Sequence, residues 1–165
     1  MPASSVNDAG TEGLLTLRAL VEQIYPETDW GPGAAELGVA ESIMQHLDSP
    51  FGRNDDAYRQ APFDPNAHRS MGWQGSHSRE EVLANGLRGL EQWSTRTYGI
   101  SFSGLAFSVQ EQVMGEIEEG RSSAFDPTRG FEFFDLLVDQ VFTALFITPT
   151  LGDYRLHSAW FRLER

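Results

Sequence analysis

Residues 131–147 read FEFFDLLVDQVFTALFI, and the fold turns on how this stretch is interpreted. It is too long for a typical strand, and its polar residues recur with a helical rhythm. Glu132, Asp135, Asp139 and Thr143 fall on one narrow stripe. Phe131, Phe134, Leu137, Val138, Val141, Phe142, Leu145 and Phe146 occupy most of the remaining circumference. A helix apolar over so much of its surface requires cover, from other helices of the same chain or from another protein. Pro149 follows and cannot continue it. Three carboxylates, and a length short of about 20 apolar residues, argue against a membrane span.

Working outward, the rest of the chain supplies helices to provide that cover. Leu14, Leu17, Leu20, Val21 and Ile24 recur at helical spacing ahead of Pro26. A connector follows, Glu27 to Gly33, rich in turn formers and carrying Trp30 in its middle. The next helix is expected over Ala34 to Leu47, with Leu37, Ala40, Ile43, Met44 and Leu47 inward and Gly38 as a mild internal weakness. Ser78 and Glu81 form a capping-box pattern that opens a helix through Leu83, Leu87, Leu90 and Trp93, closing near Tyr98-Gly99. Ser108 and Glu111 repeat the pattern ahead of Val109, Val113, Met114 and Ile117. Gly120 stands where a C-terminal glycine belongs. Asp126-Pro127 reads as a turn or cap before the central helix. The expected fold is all-α: a small bundle of about five helices around the apolar helix 131–147.

Three segments lack helical period. Residues 1–11 read as a disordered leader, leaving 12–165 as a single domain. Residues 49–77 form a long irregular loop that holds prolines, glycines and several aromatics. A loop of that length in a compact domain is commonly functional or draped on a partner. After Pro149 comes an extended C-terminal tail with Tyr154, Trp160, Phe161 and Leu163.

Composition excludes several chemistries. The net charge of −12 opposes nucleic acid and anionic membranes. All twelve positive charges are Arg, so no lysine is present for Schiff-base or phosphate-loop chemistry. Without cysteine there is no thiol nucleophile, disulfide or cysteine-held cluster in this chain. No HExxH occurs, and no Glu is followed three residues later by His, so the common zinc and di-iron patterns are missing. His68 and His77 share the long loop without ligand spacing and read as solvated. The ladder Glu132, Asp135, Asp139 reads as the solvated or Arg-paired side of a greasy helix, with acid–base or cation-holding work as the alternative. Gly31-Pro32-Gly33 reads as a rigid turn in preference to an anion site. No catalytic, cofactor-binding or metal residue emerges.

What remains is an aromatic inventory outside the helices: Trp30 with Pro32 beside it, Phe51, Tyr58, Phe63, Trp73, Tyr154 and Trp160. Connector aromatics usually pack back onto their own domain. Seven of them are many for a small bundle to cover, and Trp and Tyr also anchor interfaces. Both readings stand for the set, with Trp73 and the tail leaning towards an interface.

Six stretches together resemble a known family: LRALVEQIYP, GPGAAELGVAESIMQHLDSPFG, AYRQAPFDP, SREEVLANGLRGLEQW, SVQEQVMGEIEEG and FEFFDLLVDQVFTALFITPTLGDY. Their order and spacing are similar to the gluconate 2-dehydrogenase subunit 3 family, the small subunit of sugar and polyol dehydrogenase complexes. The resemblance implies a non-catalytic partner of a large FAD-binding flavoprotein of the glucose–methanol–choline (GMC) type, which it helps to mature and stay soluble. It also implies a cytochrome c subunit in some complexes. In relatives an export leader of twin-arginine type is often carried on the small subunit. No such leader precedes Leu14, so the expectation is a cytoplasmic chain as written, or a periplasmic one if a leader was removed. Thr148 to Tyr154 departs from the family's usual proline, tyrosine and glycine turn. The competing expectation, from the carboxylates and loop histidines, is a stand-alone metal-binding or small-ligand-binding helical protein.

Overall fold

A computed structural model describes residues 10–55 and 76–147. Within them the fold is all-α, with helices α1 (Gly10–Ile24), α2 (Val39–Leu47), α3 (Arg79–Tyr98), α4 (Phe107–Glu118) and α5 (Pro127–Phe142). A 3₁₀ turn, Phe102–Gly104, precedes α4, and a π-helical turn, Thr143–Ile147, continues α5. Residues 1–9, 56–75 and 148–165 lie outside the described residues. With them lie most of the expected leader, most of the long loop and the whole tail.

Helix ends follow local chemistry, sometimes at other residues than expected. Ser78 caps α3 as its pattern predicts: Oγ accepts from Glu81 N at 3.1 Å, and Glu81 Oε2 accepts from Ser78 N at 2.7 Å. Gly99 closes the helix with φ +78°. The second pattern does not cap. The N-cap of α4 is Ala106, reached in extended conformation from the 3₁₀ turn, so Ser108 sits inside the first turn with no capping bond. Its far end is a Schellman motif, with Arg121 N donating to Glu116 O (2.8 Å) and left-handed Gly120 N donating to Ile117 O (3.0 Å).

Asp126 is the N-cap of α5, accepting from Arg129 N at 3.1 Å, so the helix starts at Pro127, four residues ahead of the apolar run. Helix α2 is shorter than expected. Residues 34–38 make successive turns, and Gly38, with φ +75°, is the left-handed residue from which the helix begins, not a weak point inside it.

The core takes Leu17, Leu20 and Val21 from α1, Ile43 and Leu47 from α2, Leu83, Leu87 and Leu90 from α3, and Val113 and Ile117 from α4. These are the residues whose spacing marked each helix. Helix α5 packs against all four others, but so does α1, so the bundle has two central helices. Gly86 on α3 lets α5 approach closely: any Cβ there would strike the ring of Phe133.

The described helices supply only part of the cover that α5 requires. Its inward side is Phe133, Leu136, Leu137, Gln140, Val141, Ala144 and Leu145, all buried. On the opposite side Phe131, Phe142 and Phe146 are 45, 52 and 46% exposed. The four neighbouring helices cover one face of α5 and leave the other outward.

Candidate partner-docking surface

Five of the eight expected interface residues, Tyr58, Phe63, Trp73, Tyr154 and Trp160, lie outside the described residues. The other three fall in two contrasting places. Trp30 occupies the tip of a tight turn closed by reciprocal bonds, Thr28 N to Gly31 O at 3.0 Å and Gly31 N to Thr28 O at 3.1 Å. It is 82% exposed, more than any other large apolar side chain described. Pro32, half-buried, leads out of that turn.

The Gly31-Pro32-Gly33 segment is held from within. Glu22 on α1 accepts from Glu27 N at 2.8 Å and from Ala35 N at 3.0 Å, one carboxylate oxygen for each amide. A side chain at position 33 would collide with that carboxylate. The backbone N–H that an external anion would use therefore already carries an internal one, which favours the rigid-turn reading on physical grounds.

Phe51 is placed differently. Its ring is half-buried and stacks on His46, centroids 4.4 Å apart and planes 5° apart, while the Arg79 guanidinium lies 4.1 Å from its centroid. Arg79 Nη1 donates to Asn54 Oδ1 (3.0 Å) and to Phe51 O (3.3 Å), and Arg79 N also donates to Asn54 Oδ1 at 3.1 Å. Asn54 is 2% exposed and takes φ +56°, a conformation that asparagine tolerates better than most residues. Glu80 N donates to Gly52 O at 3.0 Å. The start of the long loop is thus clamped onto the N-terminus of α3.

The clamp reaches α5. His46 Nδ1 lies 2.9 Å from Gln140 Oε1, and Gln140 Nε2 donates to Asp139 Oδ2 at 3.2 Å. That amide orientation makes Gln140 Oε1 the acceptor and puts the proton on His46 Nδ1. Burial lowers the Arg79 pKa from its ordinary value, and the charge of Asp139 opposes the shift. Sequence reasoning missed His46, Asn54 and Gln140. The available signal was Gln140, a polar residue inside the apolar arc of α5 and away from its carboxylate stripe. Buried there, it needs a hydrogen-bond partner on another helix.

A further exposed apolar feature is the outward side of α5. Phe131, Asp135, Val138 and Phe142 succeed one another at i, i+4, i+7 and i+11, so they share one stripe, and Phe142 stacks on Phe146 at 5.7 Å. Glu132, Asp135 and Asp139 are exposed beside them. Neither Glu132 nor Asp135 forms an ion pair among the described residues, while the charge of Asp139 acts on Arg79.

A shallow, open groove of about 510 Å³ is bordered by Glu12, Glu91, Gln92, Thr95 and Arg96. A cleft of about 200 Å³ lies between α3 and the start of α5, bordered by Asn85, Gly89, Phe125, Asp126 and Arg129. This more enclosed cleft is smaller than the roughly 300 Å³ at which small-molecule pockets begin. No three His, Asp or Glu side chains gather at metal-holding distance among the described residues. His77 is exposed with its Nδ1 3.2 Å from Ser76 Oγ, and His68 lies outside the described residues. No described helix is long and apolar enough to cross a membrane.

Residues 12–161 match the family described as Gluconate 2-dehydrogenase subunit 3. No curated protein and no solved structure matches the chain.

Proposed function

The chain belongs to the gluconate 2-dehydrogenase subunit 3 family, and on that premise we propose that it is a non-catalytic accessory subunit. It binds, stabilises and helps mature a large FAD-dependent oxidoreductase of the GMC type acting on a sugar or polyol. The flavin and the hydride chemistry belong to the large subunit; this chain supplies surface. The observation that carries the reading, beside family membership, is the apolar outward side of α5. Obligate interfaces resemble a core cut in half, and three half-exposed phenylalanines on one helix are the exposed half of such a cut.

The test is purification of the full chain from its native source, with identification of whatever co-elutes. The expected result is a larger companion whose visible spectrum shows flavin, with turnover of a sugar or polyol confined to fractions holding both chains. Haem absorbance in the same material would add a cytochrome c subunit. Turnover by the companion-free chain, or stoichiometric metal in it, would contradict the proposal.

A further inference from the structure

We infer that the outward side of α5 is the face that docks on the large subunit, and that the surface it meets is apolar at its centre with arginine or lysine at its rim. The inference rests on the accessory-subunit reading and adds the place and chemistry of contact.

Three observations lead there. The stripe Phe131, Val138, Phe142, Phe146 lies opposite the buried Phe133, Leu137 and Val141, so the same helix that helps centre the bundle presents a second apolar seam to the outside. Aromatic side chains of that size are the anchors around which interfaces concentrate their affinity. Glu132 and Asp139 flank the seam and Asp135 interrupts it, and Glu132 and Asp135 lack an ion-pair partner among the described residues. Carboxylates at an apolar rim select a cationic surround. They also select against a second copy of this chain, which would bring the same carboxylates together in a molecule already at −12. Finally, one of these carboxylates is tied to a rigid element: exposed Asp139 accepts from buried Gln140, which in turn holds His46 against the ring of Phe51 at the anchored start of the loop. The Trp30 turn carries Glu27 and Asp29 but no repeat of apolar residues, and offers one ring at a tip.

The experiment uses the full chain and the flavoprotein subunit identified in the native complex, co-produced and also titrated as separate proteins. Phe142→Ser should raise Kd about tenfold or more. Asp135→Arg should raise Kd at low ionic strength, with the effect shrinking as salt is added. The melting temperature of the free Phe142→Ser chain should stay within a few degrees of wild type, because a half-exposed ring holds little of the fold. Wild-type binding with unchanged Kd for both variants would overturn the inference and leave the accessory role standing. Failure of the wild-type chain to bind any flavoprotein would remove the accessory role itself. A large fall in the melting temperature of free Phe142→Ser would assign the seam to this chain's own residues instead. A wild-type dimer in solution that Phe142→Ser dissolves would assign it to a second copy.

Discussion

Phenylalanines stand on both sides of α5, with opposite fates. Phe133 on the inner side is 1% exposed, pressed against α3 where Gly86 leaves room for its ring. Phe142, nine residues on, is 52% exposed and meets Phe146. Hydrophobicity alone does not distinguish them. What does is the angular position set by 3.6 residues per turn, combined with four neighbouring helices on one side. The inner side is committed to the fold, and the outer side is left for something else.

That contrast is open to mutation. Phe133→Ala should destabilise the free chain by about 3–5 kcal/mol, through lost burial and the cavity it leaves; denaturant unfolding measures it. Glu22→Gln should cost about 1.5–3 kcal/mol, since one amide oxygen cannot accept from both Glu27 N and Ala35 N as the carboxylate does. It should do so without touching either side of α5, which makes it the control for damage elsewhere. Gly86→Ala should cost about 1–3 kcal/mol by overpacking against Phe133. In the Phe133→Ala background most of that cost should vanish, and a double-mutant cycle would show it. Phe142→Ser should cost the free chain only about 1–1.5 kcal/mol, since half of the ring is already exposed. A cost near that of Phe133→Ala would erase the distinction between the two sides.

Much of the scaffold was legible because apolar residues at helical spacing have one economical arrangement. Leu17, Leu20, Leu83, Leu87 and Ile117 are inward where their spacing puts them. The capping box at Ser78 and the cap at Asp126 were readable because each satisfies orphan amides by local chemistry. Ser108 misled because the same letters do nothing once the preceding 3₁₀ turn starts the helix two residues earlier. Gly38 misled because a glycine's sign of φ is invisible in sequence; it starts α2 instead of weakening it.

The candidate surface was less legible. An apolar run states that a helix needs cover, and not which side its own chain will provide. Phe51 shows the converse. As a loop aromatic it looked available, but the ring is held between His46 and Arg79 by partners that are distant in sequence. Trp30, by contrast, stands out from the tip of its Thr28–Gly31 turn.

Hydroxyl-radical labelling of the full chain, free and bound to the large subunit, tests the central claim most directly. In the free chain Phe131 and Phe142 should oxidise readily while Phe133 does not, and on binding both exposed rings should become protected while Trp30 changes less. Phe131 and Phe142 that oxidise equally in the free chain and in the complex would contradict the claim that this side of α5 is the docking face.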